Sequence, residues 1–185
     1  MKKILKAFAL LIAFAGISNA QTTVLYEDFN AYAGTAGTTP SGWTISNHAA
    51  YTTAASSGTS GPNSYKFNIT NAVVTSPVFS GADSLTFWIK GFSTDAISSL
   101  KIELTNDGIN WTTLQTIVPL PLTGTVYRYF INNSTIKARF TYTKSAGNLA
   151  FDDVNLTAGT NAQLNNKIKT YFNHPVNNSV SYGVN

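Results

Sequence analysis

Acidic residues are so few in this chain, eight in 185, that their placement carries information. Four of them form two adjacent pairs, Glu27-Asp28 and Asp152-Asp153, close to the two ends of the strand-patterned region. Neighbouring carboxylates repel one another unless protons or a cation intervene. If the first and last strands of a sandwich lie side by side, all four come within reach of a single ion. Calcium suits such a set, because it is a hard cation that takes about six to eight oxygen ligands. Glu27, Asp28, Asp152 and Asp153 are therefore the expected ligands of a structural calcium. The competing expectation is that two of the four face water, since successive residues of a strand alternate faces. The same carboxylates could serve as a glycosidase acid and base only at a defined separation across a cleft, and nothing in the sequence marks a cleft.

Other chemistry has less to work with. His48 and His174 are the only histidines, and neither has a second His, a Cys or an Asp at metal-ligand spacing. The chain has no cysteine and no Gly-x-Ser-x-Gly elbow, so no activated nucleophile is marked. Trp88 stands out for another reason. It is out of phase with Leu85, Phe87 and Ile89, so it faces away from their layer. It is either packed under a loop or exposed as a platform on which a sugar ring stacks, with Tyr51, Tyr127 and Tyr129 as candidate companions. Trp43 and Trp111 run in phase with apolar neighbours and are expected in the core.

The elements that must position these residues read as strands. Leu100, Ile102 and Leu104 alternate with polar residues, Asn106-Asp107-Gly108 turns the chain, and the apolar pattern resumes at Ile109, Trp111 and Leu114. That is a β-hairpin. Strand patterns also occur at 24–29, 65–69, 73–79, 85–90, 126–131, 136–142 and 149–156, with a long polar loop over 46–64. Eight or nine short strands with turn residues between them, and no helical periodicity of ten residues, predict an all-β antiparallel sandwich of jelly-roll type.

Residues 1–20 read as a signal peptide. Lys2, Lys3 and Lys6 precede the apolar run Ala7–Ile17, and Ser18-Asn19-Ala20 forms a cleavage site. The run is too short to span a bilayer, and no later stretch is long enough, so the mature chain is expected without a transmembrane segment. Removing the leader leaves nine basic against eight acidic residues, scattered rather than clustered, which argues against nucleic-acid binding by this domain. The sequence divides into the signal peptide, a sandwich domain over 21–157, and a region over 158–185 that reads as a linker and the start of a truncated C-terminal segment.

Glu27-Asp28-Phe29, Pro40-Ser41-Gly42-Trp43, the hairpin Glu103–Leu114 and Ala150-Phe151-Asp152-Asp153-Val154 together resemble the landmarks of cleaved-adhesin or choice-of-anchor jelly rolls. These are relatives of MAM domains and of jelly-roll carbohydrate-binding modules, common in proteins exported by type IX secretion. The resemblance spans about 24–156. It implies a lectin-like sandwich, often with structural calcium at the opening and closing acidic residues, acting as a non-catalytic accessory or adhesive module. It further implies a secreted or cell-surface location, a glycan or cell-surface polysaccharide as partner, and passage through the type IX machinery. Residues 168–180 are similar to the opening of a type IX sorting domain, though Phe172 and His174 stand where prolines are usual. They also resemble the entry into a phospholipase D-like phosphodiesterase or nuclease, the alternative reading, whose His-x-Lys pairs are absent from the 185 residues.

Overall fold

Eleven strands build two antiparallel sheets in a computed structural model that describes residues 21–59 and 61–159. The signal peptide and the tail read from residues 160–185 lie outside the described residues. In chain order the strands are β1 (Thr22–Glu27), β2 (Thr44–Ile45), β3 (Ala50–Tyr51), β4 (Ser64–Phe67), β5 (Ala72–Thr75), β6 (Ser84–Phe92), β7 (Ser99–Thr105), β8 (Thr112–Ile117), β9 (Thr125–Phe130), β10 (Lys137–Thr143) and β11 (Asn148–Ala158). One sheet runs β3-β4-β11-β6-β9, with β1 also on β11, and the other runs β2-β5-β10-β7-β8. This is the all-β sandwich that the strand patterning predicts. Among the described residues no helix is long and apolar enough to cross a membrane.

β11 is the longest strand and serves three partners. β6 pairs along one of its edges, while the other edge is shared by β4, through Leu149–Phe151, and β1, through Val154–Ala158. The handover falls on Asp152-Asp153, where the register against β6 also shifts. Asp153 has φ of 48°, a left-handed conformation that Asp tolerates better than most residues. The first strand thus lies beside the last, as the placement of the acidic pairs anticipates.

Between the sheets the core is aromatic. Phe151 has its ring centroid 4.6 Å from Phe140, 5.7 Å from Phe67 and Phe87, and 5.9 Å from Phe29. Leu85, Phe87 and Ile89 are fully buried, and Trp43 and Ile45 nearly so, in line with their period-2 placement. Lys137, Arg139 and Thr141 alternate with buried Ala138, Phe140 and Tyr142, again as the pattern requires.

Three expectations need correction. Ile109 is 79% exposed, because the turn runs on to residue 111 and β8 starts only at Thr112. Trp111 is half-buried outside the core, with its ring 4.2 Å from the Arg139 guanidinium. Arg139 in turn donates from Nε to Glu103 Oε2 at 2.9 Å, so Trp111 covers an ion pair on the outer face of the second sheet. Ile69 is exposed as well, since β4 ends at Phe67.

With no cysteine to form a cross-link, the aromatic cluster carries the cohesion. Phe151→Ala is expected to cost about 3–5 kcal/mol, because it opens a cavity amid rings that cannot collapse onto one another. Equilibrium denaturation would read this directly, and a cost below about 1 kcal/mol would contradict the central position given to Phe151.

Candidate functional site

The two acidic pairs occupy the gap that β1 and β4 leave between them along β11. Glu27, the last residue of β1, stands opposite Val154. The chain then reverses through Phe29, at φ 50°, whose N–H donates to Glu27 Oε1 at 2.7 Å. The Asn30 N–H donates to Asp28 Oδ1 at 3.1 Å. Burial pays for the unusual backbone at Phe29, whose ring is fully enclosed against Tyr32, Trp43, Tyr65 and Phe151.

On the β11 side the carboxylates receive a loop. Asp152 Oδ2 accepts the Gly58 N–H at 2.6 Å, and its Oδ1 accepts the Asp153 N–H at 2.9 Å. Asp153 Oδ2 accepts both the N–H and the hydroxyl of Thr59, at 2.6 and 3.0 Å, and its Oδ1 accepts the Tyr26 hydroxyl at 3.2 Å. The segment Thr53–Thr59 is thereby strapped over the outer face of the first sheet. Lys90 Nζ ties it down through the Ala55 carbonyl at 2.7 Å, and the Ser64 hydroxyl through the Ser56 carbonyl at 2.6 Å. Strand pairing is interrupted at the gap, and here side-chain carboxylates take the place of strand carbonyls as acceptors.

Asp152 is fully buried beneath this strap. Burial is the main cause that pushes its carboxyl up to about 7, with the negative charges of Asp153 and Asp28 adding to it and the Gly58 and Asp153 N–H groups opposing it. Burial also raises Glu27, against the Phe29 N–H that stabilises its charge. The four carboxylates share one corner of the molecule. Even so, among the described residues no three or more His, Cys, Asp or Glu side chains are arranged to hold a metal ion. Asn30 adds a feature the sequence did not mark, a side-chain Oδ1 that is buried without a hydrogen-bond partner. An amide oxygen so placed is a ready ligand for a hard cation.

Trp88 lies on the outward face of β6, as its phase indicates, but it is not an open platform. It is 8% exposed, and a Cβ at Gly124 would fall 2.7 Å from its indole, so the chain between β8 and β9 lies flat against the ring. A sugar could stack there only by displacing that segment. Tyr127 and Tyr129 are not its companions either. They sit opposite Phe87 and Leu85, on the core side, and stack on Phe87 with centroids 5.9 and 6.1 Å away. Tyr51 packs against Phe92 at 4.9 Å. His48 is a hydrogen-bond partner of the Tyr32 hydroxyl at 3.3 Å.

The structure shows a cleft that the sequence did not reveal. It lies between β8 and β9, the edge strands of the two sheets, with a volume of about 370 Å³. Its residues come from the end of β7 and the turn after it, from β8, and from the end of β9 and the turn after it, segments far apart in the chain. The one sequence signal was Phe130, an aromatic on the outward side of the alternation in β9.

The state of Asp152 sets a pH dependence. Its folded-state value lies above that of an unfolded Asp, so between about pH 4 and pH 7 only the folded chain holds the proton. Stability from this group is complete below that range and is lost as pH rises through about 7. In the presence of chelator the denaturation midpoint is expected to fall from about pH 5 to about pH 8, and Asp152→Asn, which keeps an acceptor for Gly58, should flatten the decline. An equal slope in the variant would remove Asp152 as its source.

No protein-family model and no curated protein matches the sequence. Solved structures do match. The K1 cleaved adhesin domain of Lys-gingipain from Porphyromonas gingivalis superposes with a TM-score of 0.58 at 15% identity, covering 75% of this chain and 99% of that one. The K2 cleaved adhesin domain of Lys-gingipain gives 0.57 at 14% identity, covering 76% and 99%. The CBM22-1 xylan-binding domain from Paenibacillus barcinonensis gives 0.53 at 12% identity, covering 77% and 98%. In both kinds of neighbour nearly the whole solved chain is covered, so the likeness is to a complete domain. The described residues therefore have the jelly-roll sandwich fold that cleaved adhesin domains share with CBM22-type carbohydrate-binding modules.

Proposed function

We propose that this chain is a secreted, non-catalytic module that binds glycans, working as an adhesin or as the accessory part of an exported or cell-surface protein. The observation that carries this reading is the domain-length fold likeness to cleaved adhesin domains and to a xylan-binding module. The acidic corner accords with a module of this kind, because its carboxylates are engaged in holding the chain together. Asp152 is fully buried beneath the strap, which keeps its carboxyl out of hydrogen-bond reach of a substrate. The leader-like residues 1–20 support export, and passage by the type IX route belongs to the same proposal. No observation favours the phosphodiesterase alternative.

Calcium is part of the proposal. Of the residues expected to bind it, Glu27 and Asp28 each engage one carboxylate oxygen with an N–H in the hydrogen bonds described above, and the partnerless Asn30 Oδ1 lies in the same turn. Glu27, Asp28 and Asn30 would hold the ion, with Asp152 and Asp153 close behind, and the ion would offset the negative charge gathered at the corner.

Two measurements test these readings. A glycan-array screen of the chain with Ca²⁺ is expected to give binding to a defined group of glycans, and a blank array would overturn the glycan-binding reading. A ligand bound only by the folded state at about a hundred times its Kd stabilises by about 2.7 kcal/mol. Excess chelator is therefore expected to lower the melting temperature, and an unchanged melting curve would dispose of the calcium site.

A further inference from the structure

The edge-strand cleft has the chemistry of a ligand site. Among the described residues β8 pairs only with β7 and β9 only with β6, so the described sandwich is open along this side. Leu104 and Leu114, partly buried against the core, form an apolar floor. Phe130, 62% exposed, stands at the rim. The polar residues lining the cleft carry amides and hydroxyls, while just outside the lining the Arg128 guanidinium lies over the Phe130 ring, 5.8 Å from its centroid. A volume of about 370 Å³ falls in the range of small-molecule sites.

Two of the amides are held in advance of any ligand. Asn110 donates from Nδ2 to Asp107 Oδ2 at 2.7 Å, and Asn132 Oδ1 accepts the Ser134 N–H at 3.0 Å. Each amide is thus anchored through one atom and keeps the other for a partner. Asp107 is itself fixed. Its Oδ1 accepts the N–H groups of Ile109 and Asn110, both at 2.8 Å, and the Thr105 hydroxyl at 2.9 Å. The Ile109 N–H bond, with the others, holds its carboxyl well below the usual carboxylate range. The turn after β7 is therefore rigid, and a rigid site loses less entropy on binding.

We propose that this cleft is a subsite for neutral oligosaccharides, with Phe130 as the stacking surface and Asn106, Asn110 and Asn132 as the hydrogen-bonding groups; this rests on the glycan-binding reading above. A pyranose presents an apolar C–H face and a rim of hydroxyls that both donate and accept. An exposed ring meets the first, and amides, which also donate and accept, meet the second. The lining residues themselves supply no ion pair for an acidic sugar, which favours a neutral ligand, and the oligogalacturonate arm of the test reads whether Arg128, over the Phe130 ring, reverses that preference.

The test is an amide-resolved NMR titration of the chain with xylohexaose, cellohexaose and mannohexaose, and with an oligogalacturonate of similar length. Shifts are expected for residues 104–114 and 130–135 with at least one neutral sugar. Phe130→Ala should weaken that binding about tenfold, the loss of one good stacking contact. Val126→Ala, on the same outward face of β9, should leave it within about twofold, and since both side chains are exposed neither change threatens folding. Shifts on another face, or full affinity in Phe130→Ala, overturn the subsite and leave the glycan-binding reading standing. Tighter binding of the oligogalacturonate overturns the neutral class. A blank titration overturns the subsite, and together with a blank array it overturns the function as well.

Discussion

One strand edge must serve two partners. β11 has to accept β4 along one part of its free edge and β1 along the rest, and no regular ladder can pass from one to the other without leaving polar groups unpaired. The sequence meets this constraint with Asp152-Asp153. A bulge with a left-handed Asp re-aims the strand, and the two carboxylates accept N–H groups from the 53–59 strap across the break. Phe29 closes the gap from below with a buried ring. Much of the first sheet depends on this junction, because the same strap is tied to Asp152, Lys90 and Ser64 on its outer face. The cost is a fully buried carboxyl, which favours the protonated form.

The two faces of the sandwich are finished differently from its sides. Loops lie over the first sheet at Asp152 and at Trp88, and Trp111 lies over Arg139 on the second. These lids occupy aromatic and acidic groups that would otherwise be the obvious binding surfaces. One opening is lateral, where β8 and β9 have no further strand to pair with among the described residues. Exposed edges of this kind invite unwanted pairing. Here the turn ordered by Asp107 and the turn after β9 stand beside them, and the cleft between them is lined by neutral groups.

That chemistry accords with the composition of the chain. Few charges and many Ser, Thr, Asn and Gly residues yield a surface that recognises by shape and hydrogen bonding more than by field. At least half of the acidic residues are turned inward or toward local groups: Asp107 orders a turn, Glu103 pairs with Arg139, and Asp152 and Asp153 hold the strap. The adhesin and glycan-binding readings both fit a module whose charges are spent on its own architecture.

The sequence by itself determined the strands and which of their faces is buried, because period-2 alternation at Leu85–Ile89, Leu100–Leu104 and Ala138–Tyr142 is a local property of the chain. It also suggested that the opening and closing acidic pairs could meet if the first and last strands lay side by side, which the pairing of β1 with β11 then provides. Tertiary structure alone decided what those pairs do. Whether a carboxylate meets a metal, water or a backbone N–H depends on a loop nearly a hundred residues away, and no local pattern encodes that the Gly58 and Thr59 amides reach Asp152 and Asp153. The same holds for Trp88 and Trp111, whose phase showed the side they face but not the Gly124 segment or the Arg139 guanidinium packed on them. The cleft was the least legible feature of all. It exists only where two edge strands and two turns from separate parts of the chain come together.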